Sequence, residues 1–408
     1  MKRLFVVLAL AQLIPIWSVH YLPTTDGPSH LYNAWVFREL VVHPSDDMAK
    51  AFRIDWRPHP NWMTTVGLAA LMSVAPPLVA EKIWLSAIVL LFAAAMWMYA
   101  GQTGMSGPHI GLLFTFNWLL QMGFYNHMLG VGVAFIAIAM WRRGRTAIVA
   151  VLFVVCYFCS PMMVLFAMGA VGLLWLTSSR DPRQLLAFVP VLPLVIWYAS
   201  VSARAPMGPW PPLSKSLAFL LRARILYTFD KGQTIVGMIV LLIIIVSAVR
   251  ARGVFVALTA IMLVLYFVAP DTFGGGFFVR QRIALLLFLT ALAWIRLPKP
   301  RWIAIVIAAI VVANTTYLTV RFRQCSAMME HAVRALDRAQ TGQIVRTIAS
   351  GKQPRGSNLL LMWHVVDYAA IERELVDAGN YEAATGYFPI AFRAGAERAR
   401  ADYVFTAQ

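Results

Sequence analysis

Asp26 is the residue of this chain whose type and position are best suited to acid–base chemistry. It follows an apolar run that ends at Val19, and His30 comes four residues later. A carboxylate in such a place can act as a general base toward a hydroxyl group or can bind a divalent cation. An Asp before Gly-Pro is also good turn chemistry, so the residue fits an N-cap of the following helix equally well. The spacing alone leaves both interpretations open.

Other polar side chains are candidates for binding a substrate near Asp26. These candidates are His30, His59, Tyr125, Asn126 and His127. The two histidines belong to one polar segment, 23–61, whereas the Tyr-Asn-His triplet interrupts apolar sequence. Polar groups at membrane depth must contact protein or water, which makes the triplet a candidate binding element. The alternative for all five is a structural role at a membrane surface or between helices.

A glycine run followed by two arginines is the candidate anion site. Gly274–Gly276 permits close approach of the backbone to a ligand, and Arg280 and Arg282 stand at the entrance of the next apolar run. Guanidinium groups match phosphate oxygens, so the pair fits a lipid-linked phosphate or pyrophosphate. The alternative is that both side chains snorkel to lipid headgroups.

The remaining reactive residues favour structural roles. Glu81 with Lys82 is typical of a helix start with a local ion pair, and the three cysteines are interpreted as small core residues. His364 and Asp367 fit either a contact with substrate or, as the favoured interpretation, a hydrogen bond inside the C-terminal domain. The sequence contains no nucleophile elbow, nucleotide P-loop or zinc-protease motif.

The elements that would position these side chains are membrane helices. The chain has 408 residues, of which 60% are hydrophobic and only 13% are charged, which excludes an ordinary soluble domain. Apolar runs recur that are long enough, at roughly 20 residues, to cross the hydrocarbon of a bilayer. They predict an all-α polytopic membrane protein with about 11–12 membrane helices, beginning with a helix over 4–22.

The net charge of +17 indicates orientation in a membrane rather than a nucleic-acid partner. The excess lies in residues 1–321, which hold 25 basic and 9 acidic residues. Basic residues in short loops between membrane helices mark the cytoplasmic side. The clusters Lys2-Arg3 and Arg142–Arg145 therefore predict a cytoplasmic N-terminus, and they place the first loop and the end of the chain outside.

Two domains are predicted. Residues 1–321 form the membrane domain, and residues 322–408 form a small α/β domain outside the cytoplasm. The pattern of 325–349 predicts an amphipathic helix in the smaller domain, and that of 358–366 predicts a short buried strand.

The loop 23–61 is the first outer loop of the membrane domain. Within it, 29–42 has the pattern of a helix that lies flat on the membrane, with apolar residues set against Arg38 and Glu39. The four apolar runs between 62 and 141 are one too many for the orientation above. The segment 109–122 is therefore predicted to enter the membrane and return on the same side.

The order of these features resembles the polytopic glycosyltransferases of the GT-C fold. These include the protein O-mannosyltransferases, the aminoarabinose transferases and the catalytic subunits of oligosaccharyltransferases. The resemblance covers 1–145 in order and 270–300 loosely, and it is one of architecture: one helix, an outer loop with an early acid and a flat helix, then further helices. Pro28, Ser29-His30-Leu31 and His59-Pro60 are similar to the first loop of bacterial members.

The resemblance implies transfer of a sugar from a polyprenyl-phosphate donor to an acceptor glycan, lipid or protein. It also implies the periplasmic face of a bacterial inner (plasma) membrane as the place of reaction. The family's first-loop acid is a catalytic base or a metal ligand, and Asp26 matches it, so Mg²⁺ or Mn²⁺ is the cofactor to consider. Arg280 and Arg282 would stabilise the departing phosphate. The chain departs from the family near 101–127, where many members carry a second acid that would help to bind metal.

Three other functions remain open from the sequence. A non-enzymatic membrane protein of envelope assembly would have no pocket that joins Asp26 to the arginines. A flippase for lipid-linked glycans would need a charged path through the helices, which the apolar runs do not offer. A ligase would place its chemistry in a late outer loop, for which 203–231 is the candidate.

Overall fold

The computed structural model describes residues 2–44, 47–101, 106–178, 180–202, 207–295, 300–348 and 357–406. Packing divides the chain into two compact units. The helical unit comprises Met1–Gln12, Val89–Leu119 and Met128–Tyr317. The mixed unit comprises Leu13–Ile88, Leu120–His127 and Leu318–Gln408. By packing, the end of the chain thus belongs with residues 13–88 and 120–127. The division into a membrane domain 1–321 and an external domain 322–408 stays a prediction.

The helical unit is built from helices, most of which lie within apolar runs of the sequence. Its α-helices are Lys2–Ala11, Ser106–Gly111, Thr146–Cys159, Pro161–Thr177, Leu192–Ser202, Leu213–Leu221, Asp230–Ala248, Val254–Val268 and Val279–Ala291. Short 3-10 helices cover Leu112–Phe114, Pro182–Phe188, Arg224–Leu226 and Leu292–Trp294. Four α-helices contribute residues to both units: Pro77–Ala100, Trp118–Gln121, Tyr125–Trp141 and Pro300–Arg334.

The mixed unit combines short helices with two small sheets. Its further helices are Ile14–Trp17, Gly27–Val42, Asp47–Ala51, Trp62–Leu71, Val366–Glu372, Tyr381–Thr385 and the 3-10 helix Ala396–Arg398. Strand Phe52–Ile54 pairs antiparallel with Ile390–Phe392, in the register Phe52 to Phe392. Strand Ile344–Ile348 lies between Val376–Asp377 and Tyr403–Thr406 and is parallel to both.

Helix Gly27–Val42, called the central helix below, organises the mixed unit. Pro28 in its first turn is favourable because proline's missing N–H has no partner to lose there. Every residue from Gly27 through Val36 is buried. The helix packs against Trp62–Leu71 and Val366–Glu372 and against the sheet of Phe52–Ile54. Protein rather than lipid therefore covers its first half, and the prediction of a flat interfacial helix is wrong there.

The number of membrane crossings can be compared with helix length. Within the described residues, Pro77–Ala100 and Trp302–Arg334 are long and apolar enough to cross a membrane. A third crossing results if Pro182–Phe188 and Leu192–Ser202, bent by 50°, form one span. The other apolar helices have 10–17 residues, fewer than the roughly 20 that a straight crossing requires. A helical membrane protein is supported, and the number 11–12 stays a prediction.

Two of the predicted runs are broken. The run 4–22 holds the separate helices Lys2–Ala11 and Ile14–Trp17, so a single helix there was a wrong prediction. Pro15 stands at the break, where its missing N–H removes a helical hydrogen bond. The run 109–122 is likewise divided among short helical pieces, and its side of the membrane stays a prediction.

The C-terminal elements differ from those predicted. Helix Pro300–Arg334 continues without interruption past residue 321, so the predicted helix over 325–349 is confirmed for 325–334. It is wrong for Ile344–Ile348, which is a strand. The described residues of 358–366 form turns instead of a strand. The hydrophobic pattern of a short strand cannot be distinguished from that of a buried turn by periodicity alone.

Candidate functional site

Asp26 stands immediately before the central helix with its side chain partly accessible. The carboxylate is 14% exposed and makes no capping bond to the helix. Its backbone N–H donates to the carbonyl of Met122 at 3.0 Å, and that of Thr25 donates to Gln121 at 3.2 Å. The sequence left open that Asp26 caps the helix, and the structure shows that its side chain does not do so. The positive end of the helix dipole favours a negative charge at this position.

Gly123 allows the segment 120–127 to lie directly against Asp26. Its φ is +88°, and a Cβ placed there would come within 2.6 Å of the Gly27 nitrogen and 2.7 Å of the Asp26 nitrogen. Only glycine meets both requirements without moving the backbone that carries the carboxylate.

We expect Gly123→Ala to destabilise the protein more than Gly144→Ala does. Gly144 has a similar positive φ of +68° but nothing within 4 Å of an added Cβ, so its variant measures the conformational cost alone, about 1–2 kcal/mol. Overpacking against Asp26 adds about 1–3 kcal/mol for Gly123. Thermal or denaturant unfolding of both purified variants checks this, and equal losses would contradict the close approach.

His30 forms a buried ion pair with Glu382. Its Nδ1 lies 2.7 Å from Oε1 of Glu382, and both side chains are almost inaccessible. Burial alone would lower the pKa of His30, but the carboxylates of Glu382 and Asp26 and the carbonyl of Gly123 outweigh it, so the pKa is raised. The raised pKa favours the charged imidazolium, which donates to Glu382 and cannot itself serve as a base. It places a positive charge beside Asp26.

Hydroxyl groups near the start of the central helix form a hydrogen-bonded chain that ends on Glu81. Tyr125 donates to Oε1 of Glu81 at 3.0 Å, and Tyr368 donates to Oε2 at 2.8 Å. Thr24 and Tyr125 share a further hydrogen bond of 3.0 Å. A Cβ on Gly27 would overlap the Thr24 hydroxyl and would come within 2.5 Å of that of Tyr125. Gly27 is therefore required where these side chains converge.

The C-terminal segment brings an imidazole to Asp26. Nε2 of His364 lies 3.7 Å from Oδ1 of Asp26, beyond hydrogen-bond length, and the imidazole is 15% exposed. Burial and the charge of His30 lower the pKa of His364 to about 3, so it is neutral at physiological pH. The ring of Tyr381 lies against it, with centroids 4.8 Å apart. His364 thus lies beside Asp26. A contact of His364 with substrate would require this position.

Asp367 and Asp377 form a buried carboxyl pair in the same unit. Burial and the charge of Asp377 raise the pKa of Asp367 well above its usual value, and burial raises that of Asp377 as well. Asp377 also accepts from the N–H of Gly379 at 2.8 Å. Two carboxyl groups in such contact share a proton, which holds the turn before Asn380 against helix Val366–Glu372.

We expect Asp367→Asn to flatten the pH dependence of stability. A raised pKa in the folded state makes the contribution of Asp367 complete below its unfolded value near 3.8, and it is lost as pH rises toward the folded value. The wild-type protein should therefore lose up to about 1.4 kcal/mol per pH unit relative to the variant above pH 4. Unfolding measured from pH 5 to 7 tests this, and parallel curves for the two proteins would contradict the shared proton.

His59 is engaged within its own loop. Its Nε2 lies 3.1 Å from Oδ2 of Asp55, and Arg57 also binds that carboxylate. The bond to Arg57 holds the pKa of Asp55 well below its usual value despite burial. These contacts give His59 the structural role that the sequence left as the alternative.

Asn126 and His127 are also buried. Asn126 accepts from the N–H of Thr64 at 2.8 Å and donates to the carbonyl of Asn61 at 3.1 Å, which fixes the start of helix Trp62–Leu71. The triplet therefore divides by role: Tyr125 contacts the surroundings of Asp26, with its ring centroid 5.7 Å from that of His30, and Asn126 joins helices.

Arg280 and Arg282 belong to the helical unit, in the first turn of helix Val279–Ala291. The Arg280 guanidinium donates to the carbonyl of Tyr266 at 3.0 Å and to the hydroxyl of Ser216, and it lies over the Tyr266 ring. It borders a cavity of about 320 Å³. The other charged side chains of that cavity are Lys215, Arg222, Arg224 and Asp271. Residues 203–206 of the loop considered for a ligase lie outside the described residues.

The donors around Asp26 do not fit a protein-bound divalent cation. Within the described residues, no three His, Cys, Asp or Glu side chains are grouped so that they could hold a metal ion. Glu382 is engaged by His30, and His364 provides a nitrogen where Mg²⁺ prefers oxygen. We therefore derive no chemical step through a cation.

The roles of several residues near Asp26 could not be predicted from the sequence. Glu81 was interpreted as a local partner of Lys82, yet two tyrosines bind it. Glu382 and Tyr381 belong to no motif that the sequence offers. A carboxylate at the start of a long apolar helix was the available signal for Glu81, whereas nothing local marks Glu382 as the partner of a histidine in the first loop.

The fold has a counterpart among solved structures. The chain is similar to the arabinofuranosyltransferase AftD from mycobacteria, with a TM-score of 0.51, 14% sequence identity and 85% of this chain covered. It spans 29% of the length of that chain. No protein-family model matches the sequence, and no curated protein matches it significantly. The likeness supports the GT-C-like fold expected from the sequence.

Proposed function

We propose that this protein is a membrane glycosyltransferase that moves a sugar from a polyprenyl-phosphate donor to an acceptor hydroxyl, with Asp26 as the catalytic base. The observation that carries the proposal is the place of Asp26. It is a partly exposed carboxylate, not used as a cap, before a buried helix. The fold resembles that of an arabinofuranosyltransferase, which supports the same class of reaction.

In the proposed reaction, an oxygen of Asp26 takes the proton of the acceptor hydroxyl as the hydroxyl oxygen bonds to the anomeric carbon. The bond from that carbon to the phosphate oxygen breaks, and its electron pair leaves with the polyprenyl phosphate. Attack from the face opposite the phosphate inverts the anomeric configuration. The Asp26 carboxylate lies close enough to His30 to be one of the charges that raise the pKa of the imidazole.

The donor phosphate is assigned to the cavity beside Arg280. Lys215, Arg222, Arg224 and Arg280 line it against the single acid Asp271, so its charge favours an anion. A guanidinium held by Tyr266 and Ser216 is preorganised to stabilise the charge on a departing phosphate. Arg282 follows one position beyond Gln281 and is the second candidate for this role. The prenyl chain would lie in the bilayer.

The proposed setting is the periplasmic face of a bacterial inner membrane, with the N-terminus in the cytoplasm. The acceptor would be a glycan, lipid or protein hydroxyl. A pentofuranosyl donor is the first to test because of the likeness to AftD, and hexosyl donors come next.

The direct experiment is sugar transfer by the purified protein in liposomes from radiolabelled polyprenyl-phosphate pentoses and hexoses. Label on an acceptor glycan supports the proposal, and failure with every donor and acceptor class contradicts it. We expect Arg280→Ala to weaken binding of sugar-free polyprenyl phosphate about 10- to 100-fold, since a hydrogen bond to a charged group contributes about 1.5–3 kcal/mol. Arg252→Ala, which removes an exposed charge from the same unit, is the matched control. An unchanged affinity in Arg280→Ala would remove the phosphate role.

A further inference from the structure

A group of aromatic side chains from the C-terminal segment adjoins His364, the imidazole that lies 3.7 Å from Asp26. Trp363 is 40% exposed, and Tyr381 and Tyr387 are partly exposed. Trp363 stands edge-on to His364 at a centroid distance of 6.5 Å, and His364 in turn faces Tyr381. A carboxylate thus lies beside partly exposed ring faces, an arrangement that the proposed base chemistry does not itself require.

The rings of Tyr381 and Tyr387 pack against a buried phenylalanine. Buried Phe388 contacts Tyr381 at 6.3 Å and Tyr387 at 5.0 Å between centroids, and on its other side it lies 6.0 Å from His30. The side chain of Asn380 caps the short helix that carries Tyr381 by accepting from Ala383 at 3.2 Å. Rings fixed in this way lose little conformational entropy when a ligand covers them.

The segment that carries Trp363 is also attached to the start of the central helix. The N–H of Leu360 donates to the hydroxyl of Thr25 at 3.3 Å, and that of Trp363 donates to the Leu360 carbonyl at 3.0 Å. These two bonds attach the backbone at Trp363 to Thr25, the residue before Asp26. The surface needs no movement of a loop to form.

The chemistry of the surface selects its ligand. Burial and the charge of His30 lower the pKa of His364 to about 3, and burial with the nearby Asp26 carboxylate raises that of Tyr381 well above its usual value. Both rings are therefore neutral, and Asp26 repels anions. A ligand must offer an apolar face to the rings and hydroxyl groups to the polar edges. Neutral sugar rings, with C–H groups on one face and hydroxyls at the rim, have this character.

We propose that Trp363, His364 and Tyr381 form a binding site for a neutral sugar ring next to Asp26. The inference rests on the proposed function and deepens it, because it says which residues recognise the carbohydrate. The ring belongs either to a glycan acceptor or to the sugar of the lipid-linked donor. Both offer the same chemistry, and the ligand used in the assay separates them.

The test measures binding rather than transfer, on the full chain with Asp26→Asn so that no ligand is consumed. One arm titrates soluble neutral oligosaccharides, and the other compares a polyprenyl-phosphate sugar with sugar-free polyprenyl phosphate. Trp363→Ala should weaken binding in one arm roughly 3- to 10-fold, as expected for one lost aromatic contact. Trp363→Phe should retain most of the affinity.

Trp56→Ala is the matched control, because Trp56 is an exposed tryptophan of the same unit that contacts Phe37 and Trp62 instead. Loss only in the oligosaccharide arm assigns the site to the acceptor, and loss only in the donor arm assigns it to the donor sugar. Equal affinities of the parent, Trp363→Ala and Trp56→Ala proteins in both arms would overturn the proposal, as would binding of no sugar at all. Binding that depends on Trp363 without any transfer by the wild-type protein would overturn the proposed function and leave the sugar site standing.

Discussion

Asp26→Asn is expected to lower sugar transfer by about 100- to 10,000-fold, the usual contribution of a general base. The amide has the shape of the carboxylate but cannot take the acceptor proton. The side chain makes no capping bond to its helix and is partly exposed, so the variant should fold and bind the donor, with a small loss of stability because the charge beside His30 is removed. The measurement is the initial rate of radiolabel transfer together with the melting temperature.

Two further variants make this result specific. Asp26→Glu keeps the charge but moves it by one methylene, and a displacement of about 1 Å can cost roughly 100-fold in rate. Asp47→Asn removes a carboxylate of the same unit that pairs with exposed Lys50 and should leave transfer unchanged. Wild-type rates in both Asp26 variants would exclude the residue as the base.

Glu382→Gln is expected to destabilise the protein by about 3–5 kcal/mol, because it leaves the charge of His30 buried without its partner. The pair at the protein surface on the same helix, His43 with Glu39 at 2.9 Å, provides the control. Glu39→Gln should cost no more than about 1 kcal/mol. Denaturant unfolding at pH 6 measures both.

The pH dependence has a defined sign. The pKa of His30 is raised in the folded protein, so the stability that the pair contributes is complete below the unfolded value near 6.5 and is lost as pH rises through the folded value. The difference between the wild type and Glu382→Gln should therefore narrow in alkaline solution. A double variant, His30→Asn with Glu382→Gln, should lose less than the sum of its single variants. Additive losses would show that the two residues do not act as a pair.

The apolar helices and the start of the central helix could be predicted from the sequence. Hydrophobic runs bounded by proline or glycine are local signals, and an Asp before Gly-Pro marks a helix start wherever it occurs. The apolar stretches 146–160, 161–177 and 254–270 of the sequence accordingly form the helices Thr146–Cys159, Pro161–Thr177 and Val254–Val268.

What covers the central helix could not be predicted in this way. The sequence pattern of an apolar helix face is the same whether lipid or protein covers that face. For this reason the helix 29–42 was predicted to lie on the membrane surface. The contacts that decide the matter join distant residues. Asn33 and Asn380, which exchange amide hydrogen bonds at 3.1 and 2.9 Å, lie 347 positions apart. The pairing of His30 with Glu382 could not be predicted from a local pattern either. The sequence shows both residues but not that they lie close together in the fold.

The burial of the central helix has a consequence for biosynthesis. Its cover consists partly of Val366–Glu372 and of strand Ile390–Phe392, which leave the ribosome more than 300 residues after it. At 5–20 residues per second this delay is on the order of 15 to 65 s. During that time the central helix can pack against Trp62–Leu71 but lacks the C-terminal part of its cover. The surroundings of Asp26 are therefore completed late, after the earlier helices have entered the membrane. Nascent chains halted before residue 366 should expose Gly27–Val36 to proteases or chaperones.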